Sequence, residues 1–169
     1  MRLYWTGRAG AGKTLAARMS FVWLGEGDLL HLSDGVRREV QSRHLEVTRR
    51  TLQEIGDELR ALRGPAWLVE EAARRKGRIL VVDDLRLVQE AEVLRAAGWR
   101  GIRVTAPPDL RHARLLRRDG HLPGGDWESH PTEIQTDVVP VDLEIANDGS
   151  LLALMRRVHE AIEGLPHAP

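Results

Sequence analysis

The stretch that decides the fold is Gly7-Arg8-Ala9-Gly10-Ala11-Gly12-Lys13-Thr14, which matches the pattern G-x-x-x-x-G-K-[ST]. The apolar run Leu3–Thr6 before it predicts a strand, and the run Thr14–Leu24 after it predicts a helix. At such a junction the glycines let successive backbone N–H groups point at phosphate oxygens, and the helix N-terminus adds its positive dipole end. We expect all eight residues to bind ATP, with Lys13 at the β- and γ-phosphates and the Thr14 hydroxyl on Mg²⁺.

The composition is that of an ordinary globular protein. The 169 residues, 42% hydrophobic and 30% charged, suffice to bury a core, and we expect a single domain over 1–169. Equal numbers of basic and acidic residues, 25 of each, argue against a nucleic-acid polymer as partner. The absence of cysteine excludes a disulfide scaffold, a thiolate metal site and cysteine catalysis. Without a signal-peptide pattern or an apolar run of roughly 20 residues, we expect a cytoplasmic monomer or homodimer with no membrane partner.

Strand and helix patterns alternate along the chain. The run Ile79–Val82 is the clearest buried strand, and weaker strand patterns occupy 28–32, 102–105 and 141–146. Helical patterns occupy 34–44, 48–63, 65–76, 88–97, 107–118 and 151–163. Apolar residues at helical spacing mark two helices. They are Leu15, Met19, Val22 and Trp23 in the helix after the phosphate loop, and the apolar stripe Leu52, Ile55, Leu59 and Leu62 in the one that Thr48 caps. We predict an α/β fold, a three-layer αβα sandwich around a five-stranded parallel sheet in the order 2-3-1-4-5.

Several classes of protein share the phosphate loop. The chain lacks the guanine-reading motif Asn-Lys-x-Asp of GTPases and is too short for most motor ATPases, which favours small-molecule kinases. A kinase holds two anionic substrates end to end, so it needs cations from more than one direction. We expect an acceptor-binding helical segment at 34–76. The polar, turn-rich residues 119–137 are interpreted as a mobile loop or lid.

Acidic and basic residues follow the strongest strand. Asp83, Asp84 and Arg86 come directly after Ile79–Val82, at the sheet edge where open α/β sheets bind ligands. We expect Asp84 to order Mg²⁺ or the attacking oxygen, and Arg86 to bridge the donor and acceptor phosphates. In the alternative interpretation, the first aspartate caps the following helix.

A polar stripe runs along the helix that begins after Thr48. Arg49, Gln53, Gly56 and Arg60 are spaced by four, three and four residues, so they lie on one helix face. Glycine costs a helix about 1 kcal/mol relative to alanine, so Gly56 indicates a close approach by another group. Gln53 and Arg60 are candidates for acceptor binding, and a solvated polar face is the alternative.

Other segments resemble known kinases. Asp34-x-x-Arg37 resembles the segment that opens the acceptor-binding helices of nucleoside monophosphate kinases, which implies that Asp34 lies at the acceptor and that Arg37 holds its phosphate. The run 113–118 resembles the lid-entry helix of adenylate kinases and dephospho-CoA kinases. That likeness implies that Arg114 lies over adenine and that Arg118 contacts the ATP phosphates.

The order of motifs over nearly the whole chain is similar to that of phage-type deoxynucleoside monophosphate kinases, and in outline to animal-type phosphomevalonate kinases. The similarity rests on Asp84-x-Arg86 with Glu90, on His130-Pro131-Thr132-Glu133, and on Asn147-x-Gly149, a turn that lies near adenine in such kinases. The chain departs from the phage-type pattern at 87–89, where an aromatic residue and a proline are usual, and at Thr132, which replaces serine.

The resemblance implies transfer of the γ-phosphoryl group of ATP to a small phosphorylated acceptor, in first place a (deoxy)nucleoside monophosphate. Lys13, Asp84 and Arg86 would be catalytic, and Thr14 and Asp84 would hold Mg²⁺. The alternatives are a dephospho-CoA or phosphomevalonate kinase, or a regulatory module that binds ATP without useful transfer.

Overall fold

The central sheet has five parallel strands in the order β2-β3-β1-β4-β5, in a computed structural model that describes residues 1–124 and 126–165, apart from the side chain of Arg49. The strands are β1 (Arg2–Thr6), β2 (Asp28–Leu30), β3 (Leu80–Val82), β4 (Arg100–Thr105) and β5 (Leu143–Ala146). β1 lies in the middle, between β3 and β4. The predicted strand order is confirmed.

Helices connect the strands. They are α1 (Lys13–Leu24), α2 (Ser33–Ser42), α3 (Arg49–Arg63), α4 (Trp67–Arg74), α5 (Val88–Ala96), α6 (Pro108–Asp119), α7 (Pro131–Ile134) and α8 (Leu151–Gly164). Two 3₁₀ turns, Trp127–Ser129 and Gln135–Asp137, flank α7. α2, α3 and α4 are inserted between β2 and β3, and α6 and α7 lie between β4 and β5. Within the described part of the chain, no helix combines the length and the apolarity needed to cross a membrane.

The sheet is buried on both faces, as its almost continuously apolar strands require. Successive side chains of β1 point to opposite faces. Trp5 packs in a cluster that includes residues of α1 and α8, whereas Tyr4 packs in a second cluster with residues of α4 and α5. The result is the predicted three-layer arrangement of helices, sheet and helices.

Only part of the apolar set at helical spacing in α1 faces the core, since Met19 and Trp23 pack against it but Leu15 and Val22 do not. Val22 is 70% exposed and Leu15 is 43% exposed, whereas Ala16 and Ala17 are fully buried. The reason is that α1 follows β1 after a tight loop and packs directly on the sheet, where small side chains allow a close approach. Leu62 of α3 is also exposed, because the cluster that α3 forms with α2 includes Leu59 but does not extend to Leu62.

Candidate active site

The phosphate loop joins β1 to α1 at the carboxyl edge of the sheet. Gly7, Gly10 and Gly12 have φ values of +135°, +79° and +101°, in the region that favours glycine. A Cβ atom on Gly7 would lie 2.2 Å from the carbonyl oxygen of Val104. The backbone therefore explains why the motif has glycine at these positions. All three have positive φ, and at Gly7 the backbone of Val104 also leaves no room for a side chain.

Side chains from outside the loop hold its carbonyl groups. The buried Asn147 donates from Nδ2 to the carbonyl oxygen of Ala11 at 2.8 Å. Arg114 donates to the carbonyl oxygens of Gly10 at 3.4 Å and of Asn147 at 2.9 Å, and Arg111 donates to Ala9 at 3.4 Å. These contacts place Arg114 and Asn147 against the loop backbone; a contact with adenine stays a prediction, as it does for Gly149 in the exposed turn that follows β5.

Lys13 is buried at the mouth of the loop. Its side chain is 8% exposed, and Nζ donates to the carbonyl oxygen of Arg8 at 3.3 Å. Burial, and then the positive charge of Arg86, lower the pKa of Lys13 to about 8. The carboxylates of Glu133, Asp84 and Asp83 oppose this shift. Lys13 is therefore a cation in a desolvated position, where a phosphate anion gains most from its charge.

The lowered pKa of Lys13 predicts how the affinity for Mg·ATP depends on pH. Affinity for Mg·ATP is expected to be flat below about pH 8 and to fall above it, by up to about tenfold per pH unit, because the free protein loses the Lys13 charge. Calorimetric titrations between pH 6.5 and 9.5 measure this. Lys13→Arg, whose charge does not titrate in this range, should show a flat profile. A flat profile for the unaltered protein up to pH 9.5 would contradict the lowered pKa.

A cleft of about 1250 Å³ extends from the phosphate loop to α2 and α3. Lys13 and Thr14 line the cleft on the side of the loop. Five residues predicted for the acceptor or for the ATP phosphates line the same cleft: Arg37, Gln53, Arg60, Arg86 and Arg118. The fold thus brings together residues that lie as many as 105 positions apart in the sequence.

The two aspartates after β3 have different surroundings. Asp83 is 1% exposed and shares a hydrogen bond of 2.6 Å with Nδ1 of His31, and the nearby Thr14 side chain lowers the pKa of this carboxyl. Asp84 instead accepts from the backbone N–H groups of Leu32 and Ser33, at 2.8 and 2.9 Å, and so fastens the start of α2. The alternative that the first aspartate caps the next helix is wrong, because the carboxylate at the start of α5 is that of Glu90.

The surroundings of Thr14 fit a magnesium ion. Thr14 lies at the exposed start of α1, near enough to the Asp83 carboxyl to lower its pKa. Mg²⁺ prefers such oxygen donors and commonly uses one or two from the protein, with phosphate and water supplying the rest. Burial, and then the charge of Asp84, raise the pKa of Asp83, so this carboxylate would gain from a nearby divalent cation.

The acceptor candidates differ in how firmly they are held. Arg37 is exposed to the cleft and, within the described residues, makes no hydrogen bond or ion pair. Arg60 is mostly buried. It forms one ion pair with Asp57 at 3.2 Å and a second with the buried Glu90 at 3.8 Å. A Cβ atom on Gly56 would lie 3.2 Å from Nη1 of Arg60, so this glycine leaves room for the arginine, as its place in the helix indicated.

Two further candidates have weaker surroundings. Gln53 lines the cleft, and Asp34 lies in the first turn of α2. Neither side chain has a hydrogen-bond partner in the described part of the chain, and the side chain of Arg49 lies outside it. Their roles stay predictions.

Part of the segment 119–137, which was interpreted as a mobile loop or lid, forms helical turns, and its mobility stays a prediction. Thr132, Glu133 and Thr136 are buried, and α7 with its flanking turns supplies local hydrogen bonds. Arg8 of the phosphate loop binds Asp137 in this segment at 2.6 Å. Arg118, at its entry, is paired with the neighbouring Asp119 at 2.7 Å.

Sequence reasoning missed Asp83 and gave no role to Glu133. Ile79–Asp83 are all buried and burial alternates only beyond them, so Asp83 continues the buried strand and lies inside the structure near Thr14. Glu133 belongs to the segment His130–Glu133 that carries the resemblance, but its contacts could not be predicted, because its partners, the backbone N–H of Ala9 and the side chain of Arg86, are 124 and 47 positions away.

No protein-family model matches the chain. Two relatives carry the name UPF0200 protein. The one from Aeropyrum pernix is 41% identical over 117 residues, which are 67% of this chain and 62% of the relative, so the match spans less than two thirds of its length. The one from Thermococcus onnurineus is 29% identical over 177 residues, which cover 94% of each chain.

Solved structures share the architecture over nearly the whole chain. A Thermus thermophilus protein has a TM-score of 0.63 at 21% identity, covering 99% of this chain and 98% of that one. Shikimate kinase from Acinetobacter baumannii, solved with shikimate, has a TM-score of 0.59 at 14% identity, covering 96% of this chain and 90% of that one. The chain has the P-loop kinase fold. The P-loop kinase fold fixes where the phosphate loop lies and leaves the acceptor open.

Proposed function

We propose that this protein transfers the γ-phosphoryl group of Mg·ATP to a small phosphorylated acceptor, most simply a nucleoside or deoxynucleoside monophosphate. One observation carries the proposal: a single cleft has the phosphate loop with Lys13 on one side and Arg37 and Arg60 on another. Arg86 lies near enough to Lys13 for its charge to lower the pKa of that lysine. Two anionic substrates held in such a cleft would have cations on both sides.

The reaction would need no protein nucleophile. Loop N–H groups and Lys13 would bind the β- and γ-phosphates, and the arginines would orient an acceptor oxygen for in-line attack. When bound, Mg²⁺ would neutralise part of the phosphate charge. Thr14 would supply a hydroxyl to the ion, and we assign the neighbouring carboxylate role to Asp83 rather than Asp84, because Asp84 already accepts from two backbone N–H groups.

A phosphorylated acceptor is favoured by the state of Arg37. An exposed guanidinium that lines a cleft without a protein partner is available for a phosphate, which it can bind through two parallel hydrogen bonds. Val36, Leu52 and Leu68 add apolar surface to the same cleft, beside the amide of Gln53. An apolar surface with one amide suits a planar base, which supports a nucleotide over a sugar phosphate.

ADP release measured across acceptors tests the proposal. The panel is dNMPs, NMPs, dephospho-CoA, phosphomevalonate and shikimate, the last being a hydroxyl acceptor named for a structural relative. At least one phosphorylated acceptor should raise ADP release far above the rate without acceptor. Equal rates for all acceptors would instead support an ATP-binding module, and a response to shikimate alone would support a hydroxyl acceptor.

Arg37→Ala should raise KM for the phosphorylated acceptor about 10- to 100-fold, the worth of a hydrogen-bonded charge pair. KM for ATP should stay within about threefold, because Arg37 lies on the acceptor side. Arg38→Ala is the matched control, since Arg38 is the next residue on α2 and is also exposed, but does not line the cleft. Equal effects of the two substitutions on KM would show that Arg37 does not bind the acceptor.

A further inference from the structure

Glu133 is a fully buried carboxylate in the lid segment. Its Oε2 accepts from the backbone N–H of Ala9 at 2.9 Å, and its Oε1 pairs with Nη1 of Arg86. A buried carboxylate is costly unless it is paired and hydrogen-bonded, and here each oxygen has a partner. The two partners belong to different parts of the cleft wall, the phosphate loop and the segment after β3.

The backbone around Glu133 holds this side chain in place. His130 caps α7 by accepting from the N–H of Thr132 at 3.3 Å, and the Thr136 hydroxyl donates to the carbonyl oxygen of Glu133 at 2.6 Å. Thr132, the preceding residue, lines the cleft. Glu133 therefore lies behind the cleft wall, and its carboxylate has little freedom to move.

Glu133 also affects the charges in the cleft. Lys13 is a buried cation and Arg86 a partly buried one, and Arg86 disfavours the charged form of Lys13. Glu133 acts in the opposite direction on both groups, as Asp84 does. With Glu133 between the loop and Arg86, two cations can lie side by side in the absence of phosphate.

The arginine gains a fixed direction from this contact. A guanidinium carries five N–H donors in a rigid plane, so fixing Nη1 on a buried carboxylate sets the direction of the remaining donors. An arginine without such a partner would lose side-chain entropy each time it bound phosphate. Preorganised donors of this kind contribute most to binding and to catalysis in a desolvated site.

We propose that Glu133 is a positioning residue, which directs Arg86 from behind the phosphate loop toward the γ-phosphate of ATP. The inference rests on the proposed function for the place of ATP, but not on the identity of the acceptor. It assigns to the segment 119–137 a role beyond covering the cleft, because α7 supplies the group that aligns Arg86. The effect of Glu133 on ATP should therefore act through Arg86.

The test uses the preference of the protein for Mg·ATP over Mg·ADP, measured by calorimetry without any acceptor. Glu133→Gln keeps the size of the side chain and an oxygen for the Ala9 N–H, but it turns an NH₂ donor toward the Arg86 donors. We expect it to lower the ratio Kd(ADP)/Kd(ATP) about tenfold, the worth of one charge-assisted hydrogen bond. Arg86→Ala should lower the ratio by a similar factor, and the double variant by no more than Arg86→Ala alone.

Glu144→Gln is the matched control. Glu144 is also paired with an arginine, Arg103 at 3.0 Å, but does not line the cleft, so the same chemical change should leave the ratio unaltered. Glu133→Asp retains the charge, so its ratio Kd(ADP)/Kd(ATP) should lie between those of Glu133→Gln and the original protein. Should Glu133→Gln fail to fold, Glu133→Asp takes its place in the comparison with Arg86→Ala and the double variant.

An unchanged ratio in folded Glu133→Gln, or effects of Glu133→Gln and Arg86→Ala that simply add, would overturn the proposal and leave Glu133 a scaffold of the loop. Failure of the proposed function gives a different result. In that case no acceptor in the panel stimulates ADP release, while the ratio and its dependence on Glu133 and Arg86 are still measured.

Discussion

Lys13→Ala is expected to lower the rate of phosphoryl transfer by about 10²- to 10³-fold, the usual cost of removing one preorganised charge-stabilising group. Lys13 lies where burial excludes water, so its charge would act on the γ-phosphate with little screening. Since charge on that group changes as the bond to ADP breaks, the loss should appear in kcat as well as in KM for ATP. Steady-state ADP release at saturating acceptor measures both.

Lys76→Ala is the natural control for Lys13→Ala. The chain has only these two lysines, and Lys76 is exposed and lies outside the cleft. If Lys13→Ala transferred phosphate at an undiminished rate, the phosphate loop would bind nucleotide without a part in catalysis.

The fold should survive the substitution of Lys13. The pKa of Lys13 is about 8 in the folded protein, below the ordinary lysine value of 10.5, so the unfolded chain binds this proton more tightly. The buried charge therefore opposes folding fully below about pH 8, and the penalty disappears as the pH rises toward 10.5. A melting temperature of Lys13→Ala within a few degrees of the original at pH 7 would show that a loss of activity is not a loss of structure.

Asp83→Asn is expected to lower kcat by about 10²-fold. A neutral amide attracts Mg²⁺ less than a carboxylate does, and it is a weaker hydrogen-bond acceptor for the nearby Thr14 hydroxyl. The protein should remain folded, since the amide is nearly the same size as the carboxylate. Titrating Mg²⁺ in the assay separates the two parts of the effect, and the Mg²⁺ concentration for half-maximal rate should rise.

Asp84→Asn provides the comparison that decides between the two neighbours. It changes the acceptor for the N–H groups of Leu32 and Ser33, so we expect a loss of stability of about 1 kcal/mol and a smaller change in Mg²⁺ dependence. The reverse pattern, with Mg²⁺ dependence shifted by Asp84→Asn alone, would return the metal role to Asp84.

The fold could be predicted because local patterns determined it. A glycine loop between a strand and a helix is specific, and Ile79–Val82 has an apolar pattern that only a buried strand explains. Periodicity failed where neighbouring elements decided burial: Leu15 and Val22 have the right spacing, but the close contact of α1 with the sheet selects the alanines instead.

The candidate site was predictable on the side of the loop and less so elsewhere. Lys13 and Thr14 belong to a motif with a fixed spacing, whereas Asp83 and Asp84 are adjacent in sequence and differ only in the direction of their side chains. Which carboxylate reaches Thr14 depends on the alternation after β3. Glu133 was noticed only as part of the segment His130–Glu133, because its contact with the loop depends on how residues distant in sequence pack together.

The anchor that Asp84 provides for α2 makes no demand on side-chain identity. Its donors are the backbone N–H groups at positions 32 and 33, which every residue except proline carries. A new side chain at position 33 can therefore leave the start of α2 in place. α4 is more constrained, because its Val69 and Ala72 pack in the same cluster as Tyr4 and Leu80 of the sheet.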